Sequence, residues 1–307
     1  MYNLPQNITN YLDYCLNQKR LNSKTLKAYR IDLIQFQSFI NISDVRDITI
    51  PVLEDYISYL NKKYSPKTVK RKIASIKAFY RYLEYKDIIS INPFYKMQIK
   101  FREPFILPKT IPLNAIELLL KTVYKQQYNA KTVYQRQIAI RDAAIIELLF
   151  STGIRISELC ELKESDINLY EKTLLIYGKG NKERILHIGN DDVIHTLKIY
   201  QSTFKNQIQL CNHFFSNVKG TPLSDQTVRN MINKYCNIAS IDLHITPHMF
   251  RHTFATSLLE ADVDIRYIQE MLGHSSINIT EIYTHVATAK QKNILTTKHP
   301  RKNFKII

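Results

Sequence analysis

Six residues in the second half of the chain have the types that phosphodiester chemistry uses. Arg155 follows "STG" on a turn, Lys179 lies between two glycines in "YGKGNKE", and His248 and Arg251 form a His-x-x-Arg pair in "TPHMFRHTF". His274 follows Gly273 in "MLGHSSI", and Tyr283 comes nine residues later in "ITEIYTHV". Metal-free transfer of a phosphodiester needs a nucleophile, an acid for the departing oxygen and positive charge around the non-bridging oxygens. Its catalysis is mostly positioning plus charge stabilisation. Arginine keeps its charge and contacts phosphate in a bidentate way, and a tyrosine hydroxyl can act as a covalent nucleophile. Free tyrosine titrates near about 10, so it needs neighbouring cations to favour its ionised form. His248 and Arg251 sit three apart on one helix surface with no acid close in sequence, so their counter-ion must come from elsewhere.

The overall charge points to that counter-ion. The 307 residues include 43 Lys+Arg against 27 Asp+Glu, a formal net charge of +16. Such an excess predicts attraction to nucleic acid or to an anionic membrane surface. The longest apolar run, "AAIIELLF" (143–150), is short and interrupted by Glu147, so no membrane span or membrane partner is expected. The opening "MYNLPQNITN" has neither a basic n-region nor an apolar h-region, which predicts a cytoplasmic, nucleoid-associated protein. Cys15, Cys160, Cys211 and Cys236 are scattered with no Cys-x-x-Cys pair, so they read as reduced core residues. No phosphate-binding or dinucleotide-binding glycine motif is present, and no cofactor or metal is expected. His248 and His252 at i, i+4 have no Glu in the metalloprotease position and no evident third ligand, which argues against zinc.

The elements that must position these residues follow from hydrophobic spacing. The positive charge is denser in the first 103 residues, which read as helices. "SKTLKAYRIDLIQFQSFI" (23–40) spaces Leu26, Tyr29, Leu33, Phe36 and Ile40 at steps of three and four behind a Ser23 cap. "SPKTVKRKIASIKAFYRYL" (65–83) puts Val69, Ile73, Ile76, Tyr80 and Leu83 on one face and Lys67, Lys70, Lys77 and Arg81 on another. An apolar stripe beside a basic one suits a helix packed on a core and facing phosphates. A solvated lysine face is the plainer alternative, and the overall charge favours nucleic acid. The four prolines of "NPFYKMQIKFREPFILPKTIP" (92–112) mark a linker. The expected domains are 1–103 and 112–307, joined by a linker at 104–111.

In the second domain, helices are expected near 113–128 and 136–150, the latter ending at Gly153 as C-cap, with a short helix at 157–167. Two β-rich runs within 174–188 form a hairpin around Gly178-Lys179-Gly180-Asn181. Further helices are expected at 191–209, 224–238, 247–260 with Thr246 as N-cap, 264–272 and 278–294. The fold class is mainly α: a helical N-terminal domain plus a mostly α second domain with a small antiparallel β-sheet.

"TGIRISELCEL", "YGKGNKERILHIG" and "TPHMFRHTFATSLLEADVDIRYIQEMLGHSSINITEIYTHV" together resemble the motifs of the tyrosine recombinase (phage integrase) family. The order Arg, Lys, His-x-x-Arg, Gly-His, Tyr matches that family across 150–290. "SPKTVKRKIASIKAFYRYLEYKDIISINP" resembles, more loosely, the family's SAM-like core-binding domain, and the tail "THVATAKQKNILTTKHPRK" is most similar to the Xer branch. The resemblance implies that Tyr283 attacks the scissile phosphate, giving a 3′-phosphotyrosine and a free 5′-hydroxyl. It implies that Arg155 and Arg251 hold the non-bridging oxygens, that Lys179 protonates the leaving 5′-oxygen, that His248 helps accept the tyrosine proton and that His274 donates a further hydrogen bond. His252 and His285 lie outside the matched set and take structural roles. The balancing anion of His248 and Arg251 is then a DNA phosphate.

The resemblance also implies a double-stranded DNA recombination site and a homotetramer that exchanges strands through a Holliday junction without ATP. It leaves open a second recombinase completing a heterotetramer and an activating DNA translocase. Residues 286–307, with Ile294 and Leu295, are expected to dock on a neighbouring protomer. The chain departs from the compact Xer pattern at "KTVYKQQYNAKTVYQRQIAIR" (121–141), a basic, tyrosine-rich insertion that reads either as an extra contact or as a surface segment without function. Two roles stand for the recombinase, chromosome-dimer resolution and mobile-element integration or excision. Outside them stand a type IB topoisomerase, which would relax supercoils as a monomer, and a non-catalytic architectural DNA-binding protein, against which the intact six-residue set argues.

Overall fold

The computed structural model describes residues 2–99, 101, 109–178 and 183–273, and the chain divides into two compact units, Met1–Ile106 and Leu107–Ile307. Among its described residues the first unit holds four α-helices: α1 (Leu4–Asn17), α2 (Ser23–Ile40), α3 (Ile50–Lys63) and α4 (Pro66–Tyr85). The cap of α2 is Asn22, whose side chain accepts from the Thr25 N–H at 2.8 Å; Ser23, expected as the cap, is the first helical residue. Leu33, Phe36, Tyr56, Ile73, Ile76 and Phe79 are all buried in the core between α2, α3 and α4. Each such side chain contributes about 1.5–3 kcal/mol relative to leaving it in water.

The apolar stripe of α4 is buried as its spacing predicts, with Val69, Ile73, Ile76, Tyr80 and Leu83 all inside. Lys67, Lys70 and Arg81 are exposed. Lys77 departs from the expected solvent-facing stripe: it is half-buried, its ammonium 5.6 Å from the centre of the Phe94 ring. Lys72 is buried outright and donates to Asp32 Oδ1 at 3.0 Å and Gln35 Oε1 at 2.6 Å. Asp32 also accepts from Ser75 Oγ at 2.8 Å and pairs with Arg71.

The second unit is built around α6 (Val133–Thr152), which is buried on nearly every side from Ala139 onward. Against it lie α5 (Leu113–Tyr128), α8 (Asp191–Thr203) and α11 (Pro247–Glu260). A helix apolar all round belongs inside a domain. The Thr132 side chain caps the start of α6 by accepting from the Gln135 N–H at 3.1 Å, which places its first turn ahead of the expected residue 136. The remaining elements are α7 (Ile156–Glu161), β1 (Ile167–Asn168), β2 (Thr173–Tyr177), β3 (Glu183–His187), α9 (Lys205–Cys211), α10 (Asp225–Ile238) and α12 (Ile265–Leu272). The strands form one antiparallel sheet in the order β1-β2-β3, with Tyr177 opposite Glu183 at the start of the hairpin connection.

Three further expectations are corrected. The helix expected over 157–167 ends at Glu161; Asp166 caps a following 3-10 turn by accepting from the Lys163 N–H at 2.9 Å, and 167–168 form a strand. The helix expected over 191–209 is two helices, broken at Phe204, whose backbone leaves the helical region while its ring stays fully buried against Tyr200. Thr246 stands at the N-cap of α11 but its side chain makes no cap hydrogen bond. The expected helix 278–294 lies outside the described residues, as does most of 104–111. Ile111, at the end of that stretch, is buried, and its N–H donates to Thr253 Oγ1 at 2.8 Å. Among the described residues, no helix is long and apolar enough to cross a membrane.

Candidate active site

The turn after α6 positions the first arginine. Gly153 ends the helix in the left-handed region (φ 61°), and its N–H donates to the Leu149 carbonyl. A Cβ there would lie 2.7 Å from Phe254 Cδ1 on α11, so no side chain fits at this point. Two residues later Arg155 stands at the N-cap of α7, with its side chain about one-third exposed. Its N–H donates to Glu158 Oε2 at 2.9 Å and its Nη1 to Glu158 Oε1 at 2.8 Å.

Glu158 is buried and held from a second side. Arg184 on β3 donates from Nη1 to Oε1 at 3.1 Å and from Nη2 to Oε2 at 2.7 Å. Burial opposes ionisation of Glu158, but the hydrogen bonds from Arg184 and from Arg155 outweigh it and hold its carboxyl below the usual range. The carboxylate is therefore ionised at neutral pH. It steadies Arg155 without enclosing it.

Arg251 reaches the same place from α11. It is buried, with Nη1 donating to the Gly153 carbonyl at 2.9 Å and Nη2 to the Leu272 carbonyl at 2.5 Å. Its grip joins the Gly153 turn to the last residue of α12. His248, one turn earlier on α11, is exposed. His252, one residue after Arg251, is half-buried, and among the described residues its Nδ1 has no hydrogen-bond partner. Burial, then the charges of His248 and Arg251, push its imidazole below its ordinary pKa.

Of the six residues expected to act, the structure brings the Arg155 turn and Arg251 together, with His248 one helical turn away on α11. Lys179, His274 and Tyr283 lie outside the described residues. Lys179 falls in the connection between β2 and β3, and His274 directly follows Gly273, which ends α12 in the left-handed region (φ 64°). Lys67, Lys70, Lys77 and Arg81 belong to α4 of the first unit. Among the described residues, no group of three or more His, Cys, Asp or Glu side chains is gathered that could hold a metal ion.

Sequence reasoning missed Glu158 and Arg184. Glu158 could have been found as the N3 residue of a helix whose N-cap is an arginine, since a carboxylate at N3 reaches back to the N-cap N–H. Arg184 shares its strand face with buried Leu186, so it is a charge on the inward-facing register of a strand. Such a charge is rarely buried without a partner.

Comparison with known proteins gives this arrangement a family. Residues 117–290 match the model described as "Phage integrase family", and residues 8–86 match "Phage integrase, N-terminal SAM-like domain". The chain is 68% identical over 304 residues to a tyrosine recombinase of Agathobacter rectalis, covering 99% of both chains. It is 34% identical over 302 residues to tyrosine recombinase XerD of Staphylococcus saprophyticus, covering 96% of this chain and 98% of the relative. Its fold is like that of the site-specific recombinase XerH, solved bound to difH substrate, with a TM-score of 0.71 at 23% identity over 88% of this chain and 79% of that one. With a catalytic-domain match spanning more than half its length, and with relatives that share its whole extent, the chain belongs to the phage integrase family and is a tyrosine recombinase.

Proposed function

We propose that this chain cleaves and rejoins duplex DNA at a specific site through a 3′-phosphotyrosine intermediate. The Tyr283 oxygen attacks the scissile phosphorus, the bond from phosphorus to the 5′-oxygen breaks, and Lys179 supplies the proton that the departing 5′-oxygen takes up. His248 helps accept the tyrosine proton. Arg155 and Arg251 hold the two non-bridging oxygens, and His274 donates a further hydrogen bond. Rejoining is the reverse step with a 5′-hydroxyl of the partner strand as nucleophile, which passes the strands through a Holliday junction. The phosphotyrosine conserves the energy of the phosphodiester, so no nucleotide hydrolysis is needed.

The observation that carries this reading is the pair of arginines at the Gly153 turn. Arg155 is steadied by a buried carboxylate and remains partly open to solvent, while Arg251 is fixed by two main-chain carbonyls. Preorganised cations of this kind stabilise charge developing on a phosphoryl group without reorganising at the moment of reaction.

The partner is a double-stranded recombination site, contacted in the N-terminal domain (1–103) through Lys67, Lys70, Lys77 and Arg81 on α4. A homotetramer brings two such sites together, with 286–307 docking on the neighbouring protomer. A second recombinase or a translocase enters as an additional partner where homotetramers alone do not complete exchange. The setting is the cytoplasm, on the nucleoid. Covalent capture tests the reading. The full chain is incubated with nicked duplexes tiled from the DNA around its own gene and from the replication terminus, and then run on a denaturing gel. A shifted band that vanishes in Tyr283→Phe supports the nucleophile, and the trapping duplex separates a mobile-element role from a chromosomal one. Tight specific binding with no band from any duplex counts against a catalytic role for the chain alone.

A further inference from the structure

Arg184 has no part in the proposed chemistry, yet its guanidinium joins β3 to α7 and α12. It stands on β3 opposite Ile176 of β2, with its side chain 9% exposed. Its two Nη atoms take both oxygens of Glu158, and its Nε donates to the Met271 carbonyl at 2.8 Å. Glu158 in turn holds Arg155. Met271 lies in the last turn of α12, two residues ahead of Gly273. One side chain therefore fastens β3 to both α7 and α12.

The contact is close from the α12 side as well. A Cβ on Gly273 would lie 3.0 Å from Arg184 Nη1 and 3.2 Å from its Cδ. A planar guanidinium with all three nitrogens engaged fixes orientation as well as distance, which the single ammonium of lysine does not.

We propose that Arg184 is a positioning residue for DNA cleavage: by fastening β3 to Glu158 and to the end of α12, it sets the hairpin that carries Lys179 against the turn that carries Arg155. The proposal rests on the reading of Lys179 as the acid for the leaving 5′-oxygen.

Cleavage of the nicked duplex that traps the wild-type chain tests it, using two leaving groups. One is the ordinary 5′-oxygen and the other a 5′-bridging sulfur, which departs as a thiolate without needing a proton. Arg184→Gln is expected to bind the duplex as tightly as wild type, to lose about 100-fold in cleavage at oxygen, and to keep most of the wild-type rate at sulfur. Arg184→Lys keeps the charge opposite Glu158 but cannot span both partners. It is expected to melt at the wild-type temperature and to lose at least about tenfold at oxygen through misplacement, again recovered at sulfur. No loss at oxygen, or equal losses at oxygen and sulfur in the folded Lys variant, would overturn the proposal. Lys179→Ala measured alongside separates the two layers. If it recovers at sulfur while the Arg184 variants do not, the positioning role alone fails. If Lys179→Ala itself does not recover, the acid assignment fails and takes the proposal with it.

Discussion

In each unit of this protein a buried carboxylate sits between two cations, and the two clusters are put to different ends. In the first unit Asp32 is fully buried, with Lys72 beside it at 3.0 Å, Ser75 at 2.8 Å and Arg71 alongside. All of its partners lie on α4, within five residues of one another, so the cluster locks the register of one helix pair. In the second unit Glu158 draws Arg155 from its own helix and Arg184 from a strand 26 residues away. One of those cations stays about one-third exposed. A buried ion pair is weak evidence for net stability, because desolvation can consume the Coulomb gain. Each carboxylate holds one buried cation and one partly exposed one, Lys72 and Arg71 at Asp32, Arg184 and Arg155 at Glu158. What distinguishes the two clusters is reach: Asp32 takes both cations from one helix, whereas Glu158 ties the start of its own helix to a strand.

The sharpest way to break the comparison is to remove each carboxylate. Asp32→Ala leaves Lys72 buried without its counter-charge and should cost about 3–5 kcal/mol of stability in the first unit, read by urea unfolding. At temperatures where that unit stays folded, the cleavage rate at saturating protein should be unchanged. Glu158→Gln should instead lower the cleavage rate about 100-fold, roughly 2.7 kcal/mol, because Arg155 is no longer held in place. Single-turnover cleavage of the trapping duplex checks this. If Asp32→Ala slows chemistry as much as Glu158→Gln does, the distinction between the two clusters fails.

Smaller effects sharpen the picture through pH and salt. The Glu158 carboxyl sits below its ordinary range in the folded state. The unfolded chain therefore binds the proton first, and this stabilisation is present above about pH 4.3 and lost as pH falls through the lower folded pKa. Acid unfolding of Glu158→Gln should lack that part of the slope. His252 is also held below its ordinary pKa, so the folded state refuses a proton that the unfolded chain accepts. Stability should fall as pH drops below about 6.5, and His252→Phe should flatten the curve there. The smallest expected change is at α4. Lys67→Ala should reduce the slope of log Kd against log salt by about 0.9, while buried Lys72 contributes nothing to that slope. An unchanged slope for Lys67→Ala would remove it from the DNA contact.

Local pattern in the sequence carries much of this fold. The spacing that predicts 113–128 and 247–260 matches α5 and α11 to the residue, and the apolar stripe of α4 is buried throughout. The glycine after "ST" does end α6 in the left-handed conformation. What stays hidden depends on partners far apart in the chain. Lys72 reads as one more member of a basic run, and only Asp32, 40 residues earlier, explains its burial. Glu158 and Arg184 are unremarkable singly and become a pair only when β3 is laid beside α7. The break at Phe204 is invisible to periodicity because no glycine or proline marks it and the ring stays in the core. A two-residue strand such as β1 is too short to show an alternation.

The two arginines at the Gly153 turn differ in one more way, which bears on how the site can evolve. Arg155 answers to a side chain, so a change at Glu158 can be followed at 184, and positions 158 and 184 should drift together across relatives. Arg251 answers to the carbonyls of Gly153 and Leu272, which every amino acid supplies. Through these two contacts a change at 251 has no side chain to follow it, so they leave no covariation signal, and a search for coevolving pairs would not find the link from the Gly153 turn to the end of α12.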